Sequence, residues 1–459
     1  MKKSDCDTIV IGAGAAGLAA ARALAAGGQR VLVLEARGRV GGRIDTRWDT
    51  SLPAPVELGA EFVHGRPEAT WSLIREFGLL VHDVPFDFLQ RRKGKLVRLD
   101  DFSHELERVM AGLSRLKRDE SFTDYLRFHA RLPWMREARK MAIAFVQGFD
   151  AADPDVISAK SLAEEQEGLG DVGEEMQFRL AGGYGALIDA LARSLPARRV
   201  RIRLNTAVKR VEWKRGRVEV HAAAKGRRGG ARRTEVFRAR RAVVTLPLGV
   251  LQLAPGERGH VVFDPDIPVT RAAWDRLESG PVVKVLLRFR EAFWETSRPR
   301  RRKQGSGEPP RADLLRDLSF VTDPEAEFPT FWTQRPLRVP LITAWAGGPK
   351  AAALSGLSRD EIVRAALRSL APIVGRSVTG LKSMLERAWV ADWLADPWSR
   401  GAYSYVKVNG GGAHAVLSKP VEETLYFAGE ACDDSGQAST VAGALASGAR
   451  AARLIARNA

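Results

Sequence analysis

Three stretches of this 459-residue chain hold residue types whose spacing could do chemistry. The first is Gly12-Ala-Gly14-Ala15-Ala16-Gly17, which follows a β-branched apolar run and precedes an Ala- and Leu-rich stretch. In a strand–turn–helix setting Gly12 permits the tight turn, Gly14 lets the backbone approach a pyrophosphate, and Gly17 lets the helix pack on the strand. A phosphate then rests at the positive end of the helix. Glu35 closes the next apolar run, where a carboxylate accepts the hydroxyls of an unphosphorylated adenosine ribose. That points to FAD or NAD and away from NADP. The second stretch is Val283-Lys284-Val285, an apolar run in which strand alternation by itself turns the lysine outward into solvent. The third, Trp393-Leu-Ala-Asp-Pro-Trp398-Ser-Arg-Gly-Ala402-Tyr403-Ser-Tyr405, carries rings that could wall a dry pocket for an amine nitrogen or simply fill a core.

These residues need elements to position them. Residues 7–11 read as a strand, the helix after the glycine turn ends near Gly27-Gly28, and residues 31–34 form a second buried strand, so the chain opens with a βαβ unit. Residues 102–195 show mainly helical spacing, with breakers at Pro133 and Pro154. Strands return at 200–204, 217–220 and 242–246, which read together as an add-on sheet, and again at 282–289 and 341–346. Residues 296–316 are Pro-, Arg- and Gly-rich and read as a surface loop. A last strand at 425–428 and a small-residue helix at 441–456 return to the nucleotide-binding part.

Composition narrows the function classes. The length suits about two or three cores. No apolar run approaches the roughly 18 residues of a membrane span, and the start of the chain has no hydrophobic signal region, so a cytoplasmic protein without a membrane partner is expected. Two cysteines, Cys6 and Cys432, supply neither a disulfide framework nor a thiolate cluster, and the seven histidines show no metal-ligand spacing; no metal is expected. The net charge of +17 would suit an anionic partner, but the excess sits largely in the runs 225–233 and 298–303, which lack aromatics on which bases could stack. Solvated loops, and no nucleic acid, are the expectation.

Beyond Glu35 the chain continues Ala36-Arg37-Gly-Arg-Val-Gly41-Gly42-Arg43, a second glycine pair flanked by cations, and at this point it resembles the flavin-containing amine oxidases, the family of monoamine oxidases, polyamine oxidases and lysine-specific histone demethylases. The likeness recurs at Glu57-Leu58-Gly59-Ala60-Glu61-Phe-Val-His-Gly, Gly182-Gly183-Tyr-Gly185, Thr245-Leu-Pro247-Leu-Gly-Val-Leu, Gly280-Pro-Val-Val-Lys284-Val, the 393–405 segment and Phe427-Ala-Gly429-Glu430, and so covers nearly the whole chain. It implies an α/β protein with a discontinuous Rossmann-type FAD-binding domain, at 1–85, 196–270 and 415–459, and an inserted α+β substrate-binding domain at 86–195 and 271–414.

The resemblance also implies roles. Gly12, Gly14, Ala15, Ala16, Gly17, Glu35, Ala36 and Gly42 would bind the cofactor, with Glu35 on the ribose, Arg37 and Arg43 on the pyrophosphate side and Val208 at the adenine. Leu58, Gly59, Ala60 and Glu61 would line the flavin, and Thr245, Pro247, Trp393, Trp398 and Tyr403 would also bind the cofactor. Glu430, beside Gly429, would contact the ribityl and phosphate region, Thr440 and Val441 would place a backbone amide near the pyrimidine edge, and Gly429 and Ala444 would also bind the cofactor. Core packing for Val208 and a helix cap for Thr440 are the plainer readings. Lys284, Tyr403 and Trp393 would be catalytic, the lysine holding a water beside the flavin and stabilising negative charge there. Ala402 replaces the cysteine that links the flavin in monoamine oxidases, so FAD is expected to be non-covalent. Thr440 replaces the second tyrosine of their amine sandwich, which leans towards polyamine oxidases and demethylases.

The implied reaction removes a hydride from the carbon beside a neutral amine, yields an imine that water hydrolyses, and passes the electrons to dioxygen to give hydrogen peroxide. The small-molecule amine and dioxygen are then the partners, and no oligomeric state follows. Acidic residues from Glu164-Glu165-Gln-Glu167 to Glu174-Glu175 could draw a polyamine to an entrance, against the overall positive charge. Three alternatives stay open. An L-amino acid oxidase needs an arginine for the substrate carboxylate, for which Arg66 and Arg400 are candidates. A carotenoid-type desaturase would need neither Lys284 nor the 393–403 segment, and a non-catalytic FAD-stabilised interaction protein would need no substrate.

Overall fold

The computed structural model describes residues 4–85, 87–99, 102–173, 176–224, 233–295 and 311–458. The short β-branched runs flanking the glycine turn form a five-stranded parallel sheet in the order Val200–Arg203, Val31–Leu34, Thr8–Ile11, Arg241–Val244, Leu425–Phe427. Ile11 at the end of the central strand lies level with Leu34 and Val244, so the turn at Gly12 and the acid at Glu35 emerge at the same edge. Helices Ala15–Ala26 and Val441–Arg457 pack against each other over this sheet. A Cβ on Gly448 would come within 2.2 Å of the Ala16 carbonyl oxygen, which is why small residues line that contact.

Two strands expected in an add-on sheet, at 200–204 and 242–246, belong instead to this parallel sheet. Val200–Arg203 is an edge strand and Arg241–Val244 an inner one, and nothing in a run of four residues states which partner it will take. The add-on sheet is built from Arg233–Ala239, Arg217–Ala224, Thr206–Lys214 and Val262–Asp264. A second departure is the strand Gln177–Leu180, inside the stretch expected to be mainly helical; it pairs with Val63–His64 and Val81–Asp83. The rest of that stretch includes helices Phe102–Met110, Phe122–His129, Arg136–Gly148, Ala159–Gly170 and Gly183–Arg193, of which the last packs on this strand.

The third large sheet has seven strands, ordered Leu385–Asp392, Val282–Phe289, Leu341–Gly347, Thr330–Thr333, Phe320–Thr322, Phe88–Arg92, Lys95–Arg98. Helix Arg359–Val374, started by a Ser358–Glu361 capping box and stopped by Gly375 at φ +68°, packs on the face that carries Val283, Val285 and Leu287. The opposite face of the same strand carries Lys284. Within the expected 296–316 loop, Arg311–Arg316 is helical; the rest of it, including the basic run 298–303, lies outside the described residues, as do 225–232 of the other basic run. No helix among the described residues is long and apolar enough to cross a membrane.

Candidate active site

A cavity of about 1240 Å³ runs from the glycine turn to the inner face of the seven-stranded sheet. That exceeds the roughly 300–1,000 Å³ of a typical ligand pocket, leaving room for a dinucleotide and a second small molecule. At its nucleotide end Gly12 holds φ +110°, and a Cβ there would lie 2.5 Å from Thr245 Oγ1. A Cβ on Gly17 would lie 2.0 Å from the Gly12 carbonyl oxygen, so this glycine seats the helix on the strand without itself touching the cavity. Gly14 has nothing nearer than 4.0 Å in that direction. Helix Ala15–Ala26 has no side-chain cap and no acid in its first turn, so its positive end opens on the cavity at Gly14, Ala15 and Ala16. Glu35 takes the Ala13 N–H at 2.8 Å on one carboxylate oxygen and the Arg37 N–H at 2.7 Å on the other, while burial pushes its carboxyl above the usual range. Each oxygen retains acceptor capacity towards the cavity it lines. An open glycine cradle, an uncapped helix start and an anchored ribose acid fit FAD.

Of the residues given a cofactor-binding or catalytic role from the sequence, all but Gly17 and Leu58 line this cavity. Leu58 turns into a small apolar cluster with Leu52, Val56 and Leu286, and only its carbonyl serves the site, accepting the Trp393 indole N–H at 3.0 Å. Arg37 braces the 393–405 segment through Asp396 at 2.7 Å and Ser399 at 2.8 Å. Arg43 binds Glu430 at 2.8 Å and the Ala402 carbonyl at 2.6 Å, and Glu430 also takes the Ser404 hydroxyl at 2.6 Å. Both arginines therefore tie the nucleotide end to the segment that carries Tyr403. Thr440 does cap helix Val441–Arg457, accepting the Gly443 N–H, and Val208 does sit in a core cluster, yet each also faces the cavity.

Lys284 is 1 % exposed, so the solvated lysine expected from alternation alone does not form. Both faces of its strand are covered. Its Nζ lies 2.7 Å from Glu61 Oε2 and 3.1 Å from the Gly59 carbonyl oxygen. The other oxygen of Glu61 accepts from Arg179 Nε at 2.8 Å and from the Trp332 indole at 3.0 Å. Burial alone would raise the Glu61 carboxyl, but Lys284 and Arg179 outweigh it and hold the group down at about 2. Beneath this network Glu57 accepts the Tyr184 N–H at 2.6 Å and the Thr46 hydroxyl at 2.7 Å. There burial prevails over those bonds and over Lys284, and the carboxyl is pushed up to about 7.

The far part of the cavity is aromatic. Phe62, His64, Phe149, Phe320, Trp332, Trp345 and Tyr403 line it, and His64 meets Phe149 edge to face at 5.4 Å. Burial pushes the His64 imidazole down to about 4, so it stays neutral. The Tyr403 hydroxyl donates to the Phe149 carbonyl at 2.5 Å, and burial together with Asp150 and Glu165 raises its pKa well above the ordinary value. Tyr405 packs among the helices instead. Glu107, Asp150, Glu165 and Glu167 also line the cavity, whereas Glu164 does not; Glu174 and Glu175 lie outside the described residues. Arg66 stacks over Trp71 and Phe178, Arg400 reaches the Arg258 carbonyl, and neither borders the cavity. Sequence reasoning missed Arg179, Trp332 and Asp150; the Arg in Gln177–Leu180 was hidden by the helical reading of that stretch.

The family model for flavin containing amine oxidoreductases matches residues 15–456. The lysine-specific histone demethylase 1 homolog 2 of Arabidopsis thaliana is 29 % identical over 97 % of this chain and 58 % of its own length. The chain thus spans a little over half of that relative. Polyamine oxidase 2 of the same plant is 27 % identical over 98 % of this chain and 88 % of its own. Among solved structures, an engineered putrescine oxidase superimposes with a TM-score of 0.77 at 23 % identity, covering 99 % of both chains. The cyclohexylamine oxidase of Brevibacterium oxydans gives 0.76 at 21 % identity, again over 99 % of both. These two likenesses establish the fold.

Proposed function

We propose that this chain, which belongs to the flavin containing amine oxidoreductase family and has FAD as its cofactor, oxidises an extended amine carrying a second cationic centre, such as a diamine or polyamine, with dioxygen as the electron acceptor. When bound, FAD would supply the two-electron redox chemistry, accepting a hydride from the carbon beside the amine nitrogen, with dioxygen as the final oxidant and hydrogen peroxide as its product. The protein's part is to bind, orient and keep water out.

The observation that carries the substrate reading is the set of carboxylates in an otherwise aromatic chamber, with Asp150 and Glu165 within electrostatic reach of Tyr403. An amine must lose its charge before a hydride can leave the adjacent carbon, and the rings of Phe149, Tyr403 and Trp332 favour the neutral form by excluding water. A second ammonium further along would meet Asp150, Glu165 or Glu167. Charge acting through solvent is screened within about 8–10 Å at ordinary ionic strength, so the net +17 of the chain counts for little inside the cavity, where these nearby carboxylates dominate. Neutral His64 adds no opposing charge. Among the described residues, Arg37 and Arg43 are the arginines that line the cavity; both are paired at the nucleotide end and none lines the aromatic part, which disfavours an amino acid's carboxylate.

Peroxide formation from a panel of putrescine, spermidine, phenethylamine and amino acids tests this. Diamines and polyamines should give the highest kcat/KM, and Asp150→Asn should lower it for them by about tenfold while phenethylamine changes little. Comparable turnover of phenethylamine and spermidine, or an Asp150→Asn effect equal for both, would refute the substrate reading. Failure of every amine would favour a non-catalytic role.

A further inference from the structure

The family resemblance places Glu61 among the residues that would line the flavin, and its side chain is where three parts of the site meet. It touches the Lys284 ammonium at 2.7 Å, the Arg179 guanidinium at 2.8 Å and the Trp332 indole N–H at 3.0 Å, and Gln334 points at the same oxygen from 3.4 Å. Lys284, Glu61 and Trp332 all border the cavity, and Arg179 stands behind them with its face 4.5 Å over the Phe62 ring and its remaining donors on the Thr333 and Arg335 carbonyls. Lys284 Nζ also lies 5.5 Å from the Trp332 ring. One carboxylate therefore fixes a cation in the cavity wall and one ring of the aromatic chamber, Trp332, and holds the guanidinium that lies over a second, Phe62.

The charges can be counted. Two buried cations and one buried anion leave a net single positive charge at this wall, with Glu61 cancelling half of what Lys284 and Arg179 would otherwise present. Without the acid, two cations would share a space from which water is excluded, where charge acts at long range. We propose that Glu61 is a positioning residue that holds Lys284 and Trp332 in register with each other, and that its negative charge sets the electron affinity of the cofactor by partly cancelling the cations beside it. The proposal rests on the cavity holding FAD and is independent of which amine is oxidised.

The test is the reduction potential of the bound flavin, measured against a redox dye with no amine present. Replacing an anion by a neutral amide of the same shape leaves two cations, so Glu61→Gln should raise the potential by about 30 mV, the two-electron equivalent of a tenfold shift in the reduction equilibrium. Lys284→Met should lower it by a similar amount. The double variant Glu61→Gln/Lys284→Met restores the net charge and avoids leaving an unpaired buried cation at position 284, so it stays measurable even if the single glutamine variant folds poorly; its potential should return to within about 10 mV of wild type, the two-electron equivalent of roughly a twofold shift. A purely structural Glu61 would give a double variant as displaced as the worse single one. Equal potentials in wild type and Glu61→Gln, or a double variant that does not return, overturns the proposal while leaving the assignment of the cavity intact. Wild-type protein that binds no flavin would overturn both.

Discussion

Glu57 offers a sharp test of the electrostatics beneath the site. It is 4 % exposed, its carboxyl is pushed from 4.5 up to about 7 chiefly by burial, and its hydrogen-bond partners are the Tyr184 N–H and the Thr46 hydroxyl. An acid whose folded pKa lies above its unfolded value binds more protons when native, so its contribution is complete below about pH 4.5 and is lost as the pH rises through about 7. A displacement of that size corresponds to about 3 kcal/mol. Glu57→Gln imitates the protonated acid and cannot ionise. Relative to wild type, the variant should therefore gain about 2–3 kcal/mol of stability between pH 5 and pH 8, with the two proteins nearly equal at the acid end. Denaturant unfolding of the holoproteins, followed by tryptophan fluorescence at several pH values, reads this difference directly, because every other titrating group is common to both. A difference that stays flat from pH 5 to pH 8 would show that Glu57 ionises like an exposed carboxyl and that the burial argument is wrong.

Other perturbations give distinct outcomes. Lys284→Met removes one positive charge from the cavity wall; reoxidation of reduced protein by dioxygen should slow by about 10- to 100-fold, roughly 1.4–2.7 kcal/mol, with anaerobic reduction by substrate changed less, as stopped-flow absorbance would record. Gly17→Ala drives a Cβ to 2.0 Å from the Gly12 carbonyl oxygen, so a backbone shift costing about 3 kcal/mol or more should leave protein with little flavin absorbance. Both cysteines are buried in a core cluster away from the cavity and Ala402 offers no thiol, so acid precipitation should release all yellow colour into the supernatant.

How much was legible in the sequence depended on whether the physics was local. The glycine turn and Glu35 could be read because each requirement, a positive φ at Gly12 and a close approach at Gly17, falls on one residue of fixed type. The runs at 200–204 and 242–246 were recognisable as strands, but their sheet was not, because pairing with Val31–Leu34 and Thr8–Ile11 is decided by partners far along the chain. The strand Thr206–Lys214 escaped because charged residues break its apolar pattern, and Gln177–Leu180 because only four residues of strand interrupt a helical region. Lys284 shows the same divide. Alternation correctly separates it from Val283 and Val285, yet the face it takes is covered by Glu61, Arg179 and Trp332 from three other parts of the chain. Of these only Glu61 lay inside a recognisable motif.

The central claim, an FAD-dependent oxidase whose carboxylate-lined aromatic chamber accepts an extended amine, meets its most direct test in an anaerobic titration of the purified yellow protein. Putrescine or spermidine should bleach the flavin absorbance near 450 nm, and admitting air should restore it with one peroxide formed per flavin. A protein that carries no flavin, or a flavin that no amine bleaches, would contradict the account.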